Sequence, residues 1–162
     1  MQTISEVMTP DAALVRPDDS IADAAQLMRD WDVGALPVCN GKRLMGMITD
    51  RDITVRAVAD QRDPADMRVA DVMTDEVLWC YDDQGVDEVL RQMGDAQIRR
   101  MPVINRDNQL VGMVALGDLA TRSDADTDGT LEDISAPADK DGQGDEVVRL
   151  HRPSSDQAGG LF

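Results

Sequence analysis

Few side chains in this sequence can do chemistry, and none is arranged for making or breaking bonds. The single histidine, His151, sits in a polar, acidic stretch with no second ligand candidate nearby. There is no nucleophile–base pair, no cluster with metal-ligand spacing and no glycine loop of the kind that cradles phosphate. No catalytic residue, metal or cofactor is therefore expected, and the chain does not read as an enzyme. Cys39 and Cys80 each lie inside a β-like run, without a CxxC pattern. They read as two reduced core thiols of a cytosolic protein, a disulfide between them being the alternative. What remains is Thr49-x-x-Asp52, with Arg51 inside it, and the pair Arg99-Arg100. Taken alone, Thr49-x-x-Asp52 before Ile53 is a capping box, although Glu or Gln is the usual partner of the Thr. The two arginines offer positive charge to an otherwise acidic chain, or pair on the surface with Asp95 or Asp107.

An internal repeat determines which elements hold these residues. Glu6-Val7-Met8-Thr9 recurs as Asp71-Val72-Met73-Thr74, an offset of 65, and Leu36-Pro37-Val38 recurs as Met101-Pro102-Val103. One extra residue in the next turn makes the offset 66, so that Leu44 to Ile48 meets Leu110 to Val114 and Asp52 meets Asp118. Each unit reads as strand, helix, strand, strand, helix. In the first, Ala13 to Val15 is a short strand before the turn Arg16-Pro17-Asp18-Asp19, and Ser20 is the N-cap of a helix. Ile21, Ala25 and Met28 form that helix's apolar stripe, and Gly34 is its stop. Leu36 to Cys39 and Leu44 to Ile48 form a hairpin around Asn40-Gly41, and a second helix runs from Asp50 to Ala59. The second unit repeats this with strands Val77 to Tyr81, Arg100 to Asn105 and Leu110 to Ala115. Its helices are Gln84 to Asp95 and a short one from Leu116. The expected domains are 1–60 and 68–122, joined by a linker at 61–67. Each three-stranded sheet would leave one face undercovered, which makes the pair the folding unit. Residues 123–162 are acidic and poorly periodic, and read as a disordered tail in which Val147 to Leu150 is a transient helix or strand.

Composition bounds the partners. The chain of 162 residues carries a formal charge of −16, from 32 acidic and 16 basic residues. That field argues against nonspecific nucleic-acid binding and against docking on an anionic membrane. No apolar run approaches the roughly 20 residues that span a bilayer, and Met1 to Glu6 lacks the regions of a signal peptide. A cytoplasmic protein is expected. Aromatic residues make up only 2% while methionines number ten. The core is therefore aliphatic, and its methionines either adapt to a ligand or stand in for Leu and Phe.

The doubled landmarks Gly34-Ala35-Leu36-Pro37-Val38 and Gly46-Met47-Ile48-Thr49-Asp50-Arg51-Asp52-Ile53 resemble a tandem pair of CBS domains over residues 1–122. The resemblance is to the free-standing prokaryotic type. It implies an α+β fold of two β-α-β-β-α units with pseudo-twofold symmetry and a regulatory, signalling role. An adenosine-containing ligand (AMP, ADP, ATP, NAD or S-adenosylmethionine) would bind in the cleft between the units. Thr49 and Asp52 would hold its ribose and phosphate, since a carboxylate accepts hydrogen bonds from both ribose hydroxyls. Ala35, Leu36 and Pro37 would flank the adenine, and Arg51 would meet phosphate beside a helix N-terminus. In the second unit Asp118 remains but Ala115 replaces the Thr, while Arg99 and Arg100 precede Met101-Pro102 and bring charge. The alternative is a scaffold of the same fold that binds no ligand. A homodimer through helical faces is also expected, covering Ile21, Met28, Val86 and Met93.

Overall fold

The computed structural model describes residues 1–122 and 149–150. The rest of the expected tail, with His151, lies outside the described residues. In chain order the elements are α1 (Ile4–Val7), β1 (Thr9–Pro10), α2 (Ile21–Trp31), β2 (Ala35–Asn40), β3 (Arg43–Thr49) and α3 (Asp50–Ile53). A π-helical turn, Thr54–Val58, extends α3. Then follow α4 (Val69–Val72), β4 (Val77–Leu78), β5 (Cys80–Tyr81), α5 (Val86–Asp95), β6 (Arg100–Ile104), β7 (Leu110–Ala115) and α6 (Leu116–Arg122). The two-residue strand β8 (Arg149–Leu150) pairs with β4.

Local signals in the sequence place most of these elements. Ser20 caps α2, its hydroxyl accepting from the Asp23 amide at 3.0 Å, and the β2–β3 hairpin closes on the Asn40–Arg43 pair. Two expectations for α2 need correction. The buried stripe is Ile21, Ala24 and Met28, while Ala25 is exposed. The helix stops at Asp32, whose left-handed backbone (φ 52°) turns its amide back onto the carbonyls of Arg29 and Met28. Gly34 instead accepts a backbone hydrogen bond from Asp50 at 3.0 Å, tying the start of β2 to the start of α3. The strand expected over Val77 to Tyr81 is broken at Trp79 into β4 and β5.

Two compact units form, and they do not follow the repeat boundaries. Among the described residues, one holds 13–77 and 149–150, and the other joins 1–12 to 78–122. The head of each repeat thus packs on the body of the other. In the second unit the sheet runs β1-β7-β6-β5, with Thr9 opposite Met113 and Cys80 parallel to Val103. The first unit has the same four positions with its outer strands reduced to single bridges, Thr74 to Met47 and Val15 to Val38. The sheet is therefore four positions wide, one more than the repeat suggests, because the fourth comes from the other repeat. The borrowed helices close the cores. Ile4 and Val7 of α1 are buried with Val89, Met93, Met101 and Leu119; Val69 and Val72 of α4 are buried with Ile21, Met28, Leu36 and Ile48. Each such side chain contributes about 1.5–3 kcal/mol of burial.

The homodimer surface expected from the sequence is also corrected. Ile21, Met28, Val86 and Met93 are each no more than 6% exposed and belong to the two cores. Among the described residues, the large apolar side chains left in solvent are Met1, Leu14, Trp31, Val55 and Val58. Cys39 and Cys80 are buried free thiols, one in each unit. Burial pushes the Cys39 thiol up to about 11. Burial first, then the nearby Asp82 and Glu88 charges, push Cys80 to about 12. Both side chains are neutral core residues at physiological pH.

Candidate functional site

The hairpin β2–β3 of the first unit sets the site. Its register puts Ala35 opposite Thr49, Leu36 opposite Ile48 and Pro37 opposite Met47. Side chains alternate across a strand, and Leu36, Val38 and Ile48 point into the core. Ala35, Pro37, Met47 and Thr49 therefore share the other face. Leu36 can offer a ligand only its backbone, which narrows the expected adenine contacts. Met47 was not singled out from the sequence; a register shift between Val38 and Cys39 places it beside Pro37, where the turn alone would put Gly46.

At the end of this face β3 gives way to α3, and Thr49 is the N-cap. The Thr49 hydroxyl accepts from the Asp52 amide at 3.1 Å, and the Thr49 amide donates to Asp52 Oδ2 at 3.0 Å. The capping box read from the sequence is therefore formed, with Asp in place of the usual Glu. It does not exhaust either side chain. The Thr49 hydroxyl acts as acceptor, so its proton remains to donate. Asp52 Oδ1 accepts no hydrogen bond from a described residue; its neighbour is Arg56 Nη1 at 3.9 Å. The Asp52 side chain is 13% exposed, partly sheltered yet open to a ligand. Arg51 is exposed, with its amide bonded to Asp50 Oδ1 at 2.8 Å.

The second unit keeps half of this arrangement. Asp118 Oδ2 accepts from the Ala115 amide at 3.2 Å, and Leu116 donates to the Arg99 carbonyl at 2.9 Å, matching the Asp50–Gly34 bond. The missing hydroxyl at Ala115 has a counterpart across the hairpin, where Arg100 is its register partner. A threonine facing an alanine in the first unit is thus an alanine facing an arginine in the second. Met101 lies in the core, so Arg100 and Pro102 alternate onto the other face, where Arg100 is exposed and Pro102 is buried. Arg99 and Arg100 are exposed and form no ion pair with a described residue, so the alternative pairing with Asp95 or Asp107 does not occur.

Another cluster in this unit is structural. Arg106, in the β6–β7 turn, lies 3.8 Å over the Tyr81 ring and takes both oxygens of Asp83 at 2.8 Å. That pair holds the Asp83 carboxyl below the usual carboxylate range and pins the turn to the end of β5. Among the described residues no group of His, Cys, Asp and Glu could hold a metal ion. No described helix is long and apolar enough to cross a membrane.

Comparison with known proteins identifies the fold. The CBS-domain family model matches residues 4–58 and 69–124. The chain is 41% identical over 120 residues to the CBS domain-containing protein YhcV of Bacillus subtilis, covering 74% of this chain and 84% of that one. The crystal structure of Hypoxic Response Protein I, which holds two coordinated zinc ions, superposes with a TM-score of 0.67 at 34% identity, over 74% of this chain and 97% of that one. CBSX2, solved in complex with AMP, superposes with a TM-score of 0.64 at 26% identity, over 74% of this chain and 94% of that one. With the landmarks doubled in sequence and matched in fold, this chain belongs to the CBS-domain family, as a tandem pair of the α+β type.

Proposed function

We propose that this protein is a non-catalytic ligand-sensing module that binds an adenosine-containing nucleotide, held in the first unit by the face carrying Ala35, Pro37, Met47 and Thr49. The observation that carries the reading is the unused capacity of the capping box, namely a free hydroxyl proton on Thr49 and a free acceptor, Oδ1, on Asp52. The two ribose hydroxyls need such an acceptor, and a phosphate oxygen needs such a donor. Arg51 and the α3 amides supply positive potential to the phosphate. AMP bound to the similar CBSX2 supports the class of ligand. The corresponding corner of the second unit carries Arg100 and Asp118, with Arg99 beside them. A cytoplasmic setting belongs to the proposal, since two buried free thiols need no oxidising compartment.

The test is a thermal-shift and calorimetric screen with AMP, ADP, ATP, NAD and S-adenosylmethionine. At least one should raise Tm, because a ligand at a hundred times its Kd stabilises by about 2.7 kcal/mol. If none shifts Tm or gives heat, the scaffold reading replaces this one; the loss of the hydroxyl at Ala115 is what favours it.

The proposal extends to a homodimer, through a different surface from the one expected. Trp31 on α2 and Val55 and Val58 on the π-helical turn are 51–58% exposed on the first unit. Three large apolar side chains in solvent are best covered by a second copy. Light scattering should give twice the chain mass at tens of micromolar, and Trp31→Glu should return it to the monomer. A wild-type monomer at that concentration would remove the dimer.

A further inference from the structure

We infer that Arg56 is a positioning residue of the Thr49–Asp52 corner, tying the state of the Asp52 carboxylate to the end of α4. The inference rests on the ligand site proposed above and names a residue that the site had not included. Arg56 Nη1 donates to the Val72 carbonyl at 2.7 Å and to the Met73 carbonyl at 3.1 Å. These are carbonyls that the C-terminal end of a helix leaves unsatisfied, and a cation is favoured there. The same nitrogen lies 3.9 Å from Asp52 Oδ1, one helical turn back.

That division of labour matters chemically. An Nη1 nitrogen carries two protons, and both go to the carbonyls. At 3.9 Å the guanidinium is therefore a neighbouring charge for Asp52 and not a hydrogen-bond donor to it. The carboxylate gains a counter-ion while Oδ1 keeps its lone pairs for a ligand hydroxyl. The other end of the link is a consequential place. Val72 and Met73 lead to Thr74, whose amide and carbonyl form the bridge to Met47 at 2.8 and 2.9 Å. Met47 stands on the ligand face, and the chain beyond Thr74 runs on into the second unit at Leu78. One arginine thus joins the ribose-binding carboxylate, the borrowed helix and the bridge that holds that helix's chain to β3. By linkage, whatever changes the charge at Asp52 changes the hold on α4, and the reverse. The repeat places an arginine, Arg122, at the equivalent position of the second unit.

Amide hydrogen exchange on the full chain tests this with a double-mutant cycle of Asp52→Asn and Arg56→Ala. Asp52→Asn keeps an oxygen for the Thr49 amide, removes the charge and puts an amide nitrogen in the place of Oδ1. Without nucleotide, it should speed exchange of the Met73 and Thr74 amides roughly two- to fivefold, the range of a partly exposed ion pair. In the Arg56→Ala background it should have no further effect. An Arg56 that only braces α4 would give Asp52→Asn the same effect in both backgrounds, and that result overturns the inference. If Arg56→Ala does not fold, Arg56→Gln keeps donors for the carbonyls without the charge and completes the same cycle. A second arm adds AMP, which should change Thr74 exchange in the wild type and not in Arg56→Ala. Equal changes in both overturn the link to the ligand. Absence of AMP binding to the wild type counts against the nucleotide reading, while the first arm still decides the role of Arg56.

Discussion

Replacing Gly46 or Gly112 by alanine should lower stability by about 2–3 kcal/mol, and Tm by roughly 5–15 °C. These two glycines are the same position of the repeat, and each lies where the head of the other repeat crosses the sheet. A Cβ on Gly112 would come 2.6 Å from the Thr9 carbonyl oxygen, and one on Gly46 would clash with the Thr74 carbonyl. Neither neighbour is the tip of a flexible side chain that could swing away. Both are backbone atoms fixed by strand bridges, so the extra methyl must push the borrowed strand off. The control is Gly117→Ala in α6, where nothing lies within 4 Å of the new Cβ. That change should be neutral or stabilise by up to about 1 kcal/mol, since alanine is the better helix former. Melting curves for the three variants separate crowding at the crossing from a general dislike of losing glycine. A Gly46→Ala protein as stable as the wild type would mean that the head of the second repeat is not seated on β3.

Asp52→Ala should weaken nucleotide affinity tenfold to a hundredfold, from the loss of about 1.5–3 kcal/mol of charge-assisted hydrogen bonding. The same change opens the capping box and costs about 0.5–2 kcal/mol of stability. The two consequences can be told apart with Asp52→Asn. Its side-chain oxygen still accepts from the Thr49 amide, so Tm should stay within a few degrees of wild type while affinity falls. Thr49→Ser, which keeps both the cap and the free hydroxyl proton, should bind nearly normally, whereas Thr49→Ala should lose both functions. Asp118→Ala should cost less affinity than Asp52→Ala, because its corner already lacks the hydroxyl at Ala115. Calorimetric titrations beside melting curves read all five variants. Normal binding by Asp52→Ala would reduce the motif to a cap. Loss of binding in Asp118→Ala alone would move the working site to the corner with Arg100.

The sequence by itself determined the parts of this protein that obey short-range rules. Ser20 caps α2 because its hydroxyl reaches an amide three residues on, whatever surrounds the helix. Thr49 and Asp52 close their box for the same reason. The turn after Asn40 sets the Asn40–Arg43 and Cys39–Leu44 pairs, but a register shift at Val38, repeated at Val103 in the second hairpin, decides the facing of Ala35 by Thr49 and of Arg100 by Ala115. The offsets of 65 and 66 reappear as matching bridges, since equal spacing in two repeats gives equal registers. Finer periodicity was less secure. Ala24 and Ala25 are both small and apolar, and only the packed helix decides that Ala24 faces inward. Asp32 took the helix stop from Gly34 because an aspartate tolerates the left-handed region, and no local signal separates the two. Tertiary structure alone decided the exchange of heads. Ile4 and Val7 present the same apolar pattern as Val69 and Val72, so either helix could close either core as far as local preference goes. Which sheet Thr9 or Thr74 joins is a long-range contact between near-equivalent partners, as is the reach of Arg56 to the carbonyls of Val72 and Met73. Spacing along the chain is blind to such a choice; the packing of the whole pair makes it.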